Sequence, residues 1–273
     1  MKDSSKTMRQ QFAEMLAWTA SPPSNAKSGK PYVVERKGIL ELHFDRLSIQ
    51  SEMDISMPDE LVLGYTRAMM SFLLLEPSPK HITMIGLGGG SLAKYCYRYL
   101  PQTEMMVVEI NPDVIALRNA FAIPPDDARF RVLLGDGAAY VSAPDTALQV
   151  LLVDGFDADG QTIQLSSQGF YNNCFAALAD GGMMVANLWG SNPGCQEYVA
   201  KIKKSFANRV LVVNVDGSSN KIAIALKNVR TFPSPTTIRH NASLLGLTHS
   251  LNFLAKSNRL ISALLNQATD FIA

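Results

Sequence analysis

With 273 residues, 47% of them hydrophobic and only 18% charged against the roughly 25% usual in soluble domains, the chain is too apolar for disorder and long enough for one α/β core with an appendage. Lys and Arg number 25 and Asp and Glu 24, a net charge of +1, so no global field attracts nucleic acid or an anionic membrane surface. The three cysteines and four histidines lack ligand spacing, no apolar run nears the roughly 18 residues that span a bilayer, and no leader-like stretch opens the chain; no metal, no membrane and a cytoplasmic location are expected.

In chain order, residues 8–18 predict a peripheral helix and 21–30 a Ser/Pro/Lys/Gly linker. Short β-rich runs at 32–36, 39–44 and 47–50, separated by Lys37-Gly38 and Asp45-Arg46, predict a small antiparallel unit. Pro58, Asp59 and Glu60 read as the opening of a helix that runs to Leu75 and is closed by Pro77 and Pro79. The division expected is therefore a first unit over 1–76 and a main domain over 77–273.

From residue 81, apolar runs alternate with helical stretches, the pattern of βαβ units. Strands are predicted at 82–86, 105–110, 130–134, 150–154 and 183–188, and helices at 92–100, 112–121, 137–141, 169–178 and 194–206. Two last β-runs, 210–215 and 222–226, flank the turn-forming residues Asp216 to Asn220, so the sheet ends in an antiparallel hairpin. A Pro-containing loop and a helix through Leu260, Leu264 and Leu265 make a packing tail.

The chemistry gathers at strand ends. Gly86, Gly88, Gly89 and Gly90 lie between the first strand and its helix, where missing β-carbons let the backbone turn tightly against a nucleotide. Glu109, 21 residues past Gly88, ends the second strand where a carboxylate can take both hydroxyls of a ribose. Asp136-Gly137 ends the third and can meet an adenine amine, although capping of the next helix accounts for Asp136, as for Asp113, equally simply. A dinucleotide enzyme would need a second mononucleotide half, which the terminal hairpin replaces. Asp154, Asp157 and Asp159 follow the fourth strand; of these Asp154 is best placed to anchor an ammonium and, with a raised pKa, to accept a proton.

Over roughly residues 39–226 these motifs resemble the spermidine synthase family of polyamine aminopropyltransferases: an N-terminal β-unit, Tyr65 ahead of the first sheet strand, the glycine loop, Glu109, Asp136-Gly137 and the Asp154-x-x-Asp157 loop. The resemblance implies a Rossmann-like, seven-stranded sheet of the S-adenosylmethionine-dependent methyltransferase type. It implies decarboxylated S-adenosylmethionine as co-substrate, with no tightly bound cofactor, and a homodimer. Glu109 would hold its ribose, Asp136 its adenine and Asp154 the attacking amine of putrescine or another polyamine, with Gln50, Tyr65 and Asp157 along the amine channel.

The sequence departs from the family pattern at four places. Gly89 stands where the family carries an acid, Ala158 where it carries proline, Thr66 where glutamine follows the tyrosine, and Asp216 to Asn220 replace a Tyr-Pro turn. An anion suits a cationic aminopropyl group, whereas glycine tolerates the carboxylate of intact S-adenosylmethionine. Methyl transfer to an unknown acceptor is therefore one alternative, and a degenerate ligand-binding or assembly protein is another.

Overall fold

The computed structural model describes residues 30–44, 49–157 and 160–270. The helix expected at 8–18 and nearly all of the linker lie outside them, as do Asp45, Arg46, Ala158 and Asp159.

A three-stranded antiparallel sheet comes first: β1 (Tyr32–Arg36), β2 (Ile39–His43) and β3 (Ile49–Asp54), with the β1–β2 turn carried by Lys37 and Gly38 at positive φ. The third strand lies further along the chain than its apolar run predicted. Pairing with β2 draws Ser51 and Glu52 into the ladder, Leu42 opposite Ser51 and Glu41 opposite Glu52, because register outweighs β-propensity.

The helix expected from Pro58 begins only at Gly64. Residues 57–60 form turns instead, and Glu60 accepts hydrogen bonds from the Tyr99 and Ser250 hydroxyls at 2.6 and 2.7 Å. Arg67 donates to the Leu61 and Val62 carbonyls, which helix formation would have used. Helix α1 (Gly64–Met69) then tightens into a 3₁₀ segment, Met70–Leu74, buried throughout.

The main sheet contains β4 (His81–Ile85), β5 (Glu104–Glu109), β6 (Phe130–Leu134), β7 (Leu148–Val153), β10 (Leu178–Leu188), β11 (Val210–Asn214) and β12 (Lys221–Leu226). Their order is β11-β12-β10-β7-β4-β5-β6, parallel from β10 to β6 and antiparallel at β12. Helices α2 (Ser91–Tyr99), α3 (Pro112–Ala116), α4 (Gly137–Ser142), α5 (Gln168–Ala177) and α6 (Cys195–Ser205) connect the strands. The short hairpin β8 (Phe156–Asp157) and β9 (Gly160–Gln161) follows β7. Strand alternation sends Val150 and Leu152 to one core and Leu151 and Val153 to the other, so β7 is covered on both faces, as a parallel strand requires.

Helix α3 is shorter than predicted. After Ala116 the Leu117, Arg118 and Ala122 N–H groups bond three residues back, Ala122 takes φ 52°, and the buried Lys94 ammonium captures the Phe121 carbonyl at 2.7 Å. The tail forms two helices, α7 (Pro235–Leu245) and α8 (Phe253–Asp270), instead of one. Asn241 donates to the Leu74 carbonyl at 2.9 Å, and one core runs from Val33 through Phe72 to Ile261.

Candidate active site

In an open parallel sheet the ligand crevice lies beyond the carboxyl ends of the strands, where neighbouring connections leave in opposite directions. Here that point is between β4 and β7, with β5 on the far side of β4. A cavity of about 1020 Å³ opens there. It is lined by Gln50, Tyr65, Gly86, Gly88, Glu109, Asp136, Gly137 and Asp154, so most residues singled out from the sequence converge on one space. Gly89 and Gly90 belong to the loop but not to the cavity wall, and the side chain of Asp157 lies outside the described residues.

The loop's glycines serve different needs. Gly86 takes φ 88°, and a β-carbon there would come within 2.2 Å of the Asp154 carbonyl oxygen, so only glycine lets the ends of β4 and β7 close to this distance. A β-carbon on Gly89 would meet Ser51 Oγ at 2.6 Å and the Phe121 ring at 2.8 Å. The space that an acid would need is occupied by these two side chains. The departure at position 89 is thus built into the packing, and the Lys94 bond to Phe121 holds it there. Burial brings the Lys94 ammonium pKa down to about 8.

Glu109 is 7% exposed and receives the Leu87 N–H on Oε2 at 2.7 Å and the Asn111 N–H on Oε1 at 2.8 Å. Two backbone donors fix the carboxylate against the glycine loop while leaving it lone pairs for a ligand diol. Asp136 caps α4: its Oδ1 accepts from Ala138 and Ala139 N–H at 2.7 and 3.3 Å. It lines the cavity as well, so its capping role does not remove it from the cavity wall. Asp113 caps nothing; Asn111 is the N-cap of α3.

Asp154 is the focus of the electrostatics. Burial pushes its carboxyl up to about 6, against the opposing pull of hydrogen bonds from Asn187 and Tyr65. Asn187 Nδ2 donates to Asp154 Oδ1 at 2.9 Å. The Tyr65 hydroxyl reaches both Asp154 and the Gln50 carbonyl, 3.4 Å away, and burial with the neighbouring Asp154 charge raises its pKa well above the usual value. Glu109, Asp136, Asp154 and Asp216 line the cavity, while Arg67 is committed to backbone carbonyls, so the space favours cationic ligands.

Trp189, Ser51, Gln164, Asn187 and Asn220 also line the cavity. Trp189 stands directly after the end of β10. Asn187 went unrecognised, although a single amide in the apolar run Met183–Leu188 is the kind of interruption that marks a buried polar partner.

Comparison with known proteins agrees with this geometry. The model of the spermine/spermidine synthase domain matches residues 63–236. A polyamine aminopropyltransferase of Neisseria meningitidis serogroup B is 36% identical over 232 residues, covering 84% of this chain and 88% of its own. One from Chromobacterium violaceum is 35% identical over 229 residues, with the same coverage, 84% and 88%. Among solved structures, a probable spermidine synthase from Corynebacterium glutamicum superposes with a TM-score of 0.64 at 19% identity, covering 79% of this chain and 84% of that one. Human methyltransferase-like protein 13 gives 0.60 at 20% identity, over 68% and 92%. The sheet is therefore of the methyltransferase type, and the chain belongs to the spermine/spermidine synthase family.

Proposed function

We propose that the protein is an aminopropyltransferase that moves the aminopropyl group of decarboxylated S-adenosylmethionine to a small amine such as putrescine. The observation that carries this reading is Asp154: a carboxylate raised to about 6, facing the same cavity as the glycine loop and Glu109. Its relatives named polyamine aminopropyltransferase support the assignment. Glu109 would bind the ribose hydroxyls, Asp136 the adenine amine, and Gly86 and Gly88 let the backbone approach the nucleoside. Gln50, Tyr65 and Asp157 would line the amine channel.

In the reaction the amine nitrogen attacks the aminopropyl carbon bound to the sulfonium. The N–C bond forms as the C–S bond breaks, its electron pair stays on sulfur, and methylthioadenosine leaves. Asp154 accepts the proton lost by the amine, a task suited to a base whose pKa lies near working pH. Holding donor and acceptor in line supplies much of the rate, since aligned reactants reach effective molarities of about 10⁵ M or more. Pairing of two copies and a cytoplasmic location belong to the same reading, on composition and resemblance alone.

Incubation with putrescine and decarboxylated S-adenosylmethionine tests the proposal: methylthioadenosine and spermidine appear together, and their absence rejects it. One observation favours a second reading. Ser51 and Phe121 fill the place where an acid would face the aminopropyl ammonium, a packing compatible with the carboxylate of intact S-adenosylmethionine. Tighter calorimetric binding of the carboxylated donor would select methyl transfer.

A further inference from the structure

Behind Asp154 runs a chain of hydrogen bonds with a single direction. Ser218 Oγ donates to Asn220 Oδ1 at 2.6 Å, Asn220 Nδ2 donates to Asn187 Oδ1 at 2.8 Å, and Asn187 Nδ2 donates to Asp154 Oδ1 at 2.9 Å. The direction follows from the last acceptor. An ionised carboxylate can only accept, so Asn187 turns its NH2 toward Asp154 and its carbonyl toward Asn220, which must then offer its own NH2. Bonds aligned head to tail in a low-dielectric interior polarise one another.

Both amides are held in place. Asn187 is 3% exposed and sits on β10 opposite Ile222, so it cannot exchange its partners for bulk water without cost. Asn220 closes the β11–β12 hairpin: its carbonyl accepts from Val215 N–H at 3.1 Å and its own N–H donates to Ser218 Oγ at 3.2 Å. The same turn borders the cavity through Asp216, Gly217 and Ser218. The tip of an edge hairpin is thereby wired to a carboxylate at the centre of the sheet.

We propose that Asn220 is a positioning residue for the base: acting through Asn187, it keeps an N–H donor, and never a carbonyl, against Asp154, and so keeps Asp154 able to ionise at its half-buried place on the cavity wall. The inference rests on the reading of Asp154 as proton acceptor. The titratable and charged groups sharing the cavity with Asp154 are Tyr65 and Arg67 from α1, Glu109 from β5, Asp136 ahead of α4 and Asp216 in the turn. Of these, Tyr65 bonds Asp154 directly; among the described residues Asn187 is the other side-chain donor to it, and the Asn187 amide is oriented by Asn220.

Asn220→Asp tests it. The substitution removes the NH2, and the bond to Asn187 can re-form only if that amide turns end for end, bringing its carbonyl against Asp154. A carbonyl there opposes the carboxylate and suits the protonated acid. Ser219→Asp adds the same charge to the same exposed turn without touching Asn187, and controls for charge alone. The readout is the titration of Asp154 followed by the NMR shift of its ¹³C-labelled carboxyl, assigned by its loss in Asp154→Asn, alongside the pH profile of methylthioadenosine release.

In Asn220→Asp the midpoint rises by about one pH unit or more, a tenfold change in proton affinity, and in Ser219→Asp by no more than about 0.3. If Asn220→Asp does not fold, Asn220→Ala, which frees the Asn187 amide from its lock, gives a smaller rise in the same direction. Equal midpoints in all proteins, or equal rises in Asn220→Asp and Ser219→Asp, overturn the inference. Wild-type protein that releases no methylthioadenosine, with the raised midpoint still seen in Asn220→Asp, sinks the aminopropyl reading and leaves the positioning role standing.

Discussion

Replacing Asp154 with Asn should abolish transfer and, above neutral pH, make the protein more stable. Burial raises this carboxyl from about 4 in an unfolded chain to about 6 in the fold. Between those values the folded protein retains a proton that the unfolded chain has released, so stability falls as pH rises through that window and stays lower above it. Two pH units at about 1.4 kcal/mol each amount to about 3 kcal/mol. Asn carries no charge and still offers an oxygen to Asn187 Nδ2, so the variant avoids the cost of ionisation without losing the hydrogen bond. Urea unfolding of both proteins at pH 4.5 and 8, followed by circular dichroism, should give similar midpoints at the lower pH and a more stable variant at the higher. Wild-type stability that does not change between these pH values, or a variant no more stable at pH 8, would show that Asp154 is not held ionised against its surroundings and would remove the physical basis for calling it a base.

Glu109→Gln places an NH2 group against either the Leu87 or the Asn111 N–H, leaving one buried donor unpaired at a cost of about 1–3 kcal/mol. Calorimetry should show methylthioadenosine affinity reduced at least about tenfold, and unchanged affinity would take Glu109 out of the nucleoside cradle. Gly89→Asp forces a β-carbon into Ser51 Oγ and the Phe121 ring, with an expected loss of about 1–3 kcal/mol. A lower melting temperature with no gain in affinity for decarboxylated S-adenosylmethionine is expected; a variant as stable as wild type would mean that Ser51 and Phe121 yield and that the acid-binding place is still available.

Strand and helix identity across the main sheet follow from local patterns. The run at 130–134 is a strand with those bounds, and the turn-forming residues from Asp216 to Asn220 do join two antiparallel strands. Local rules fail where a long-range partner competes for the same groups. Asp59 and Glu60 have the composition of a first helical turn, yet Glu60 is taken by Tyr99 and Ser250, which lie far along the chain. Residues 117–121 have the apolar spacing of a helix, yet they run on as successive turns, and the Phe121 carbonyl, to which Pro125 has no N–H to donate, takes the Lys94 ammonium instead.

Alternation of apolar and polar residues, glycine placement and strand-end acids are properties of neighbours in sequence, and they were sufficient to outline the seven-stranded sheet and its antiparallel end and to single out Gly86, Glu109, Asp136 and Asp154, which line one cavity. What stands against Gly86, Gly89 and Asp154 comes from segments about 30 to 90 positions away. Only the tertiary structure decided that Ser51 and Phe121 occupy the space beside Gly89, and that Asn187 and Asn220 set the hydrogen bond on Asp154. The physical reason is that a side chain's exposure, partner and proton affinity come from the atoms packed around it, and periodicity along the chain carries no record of which distant residues those are.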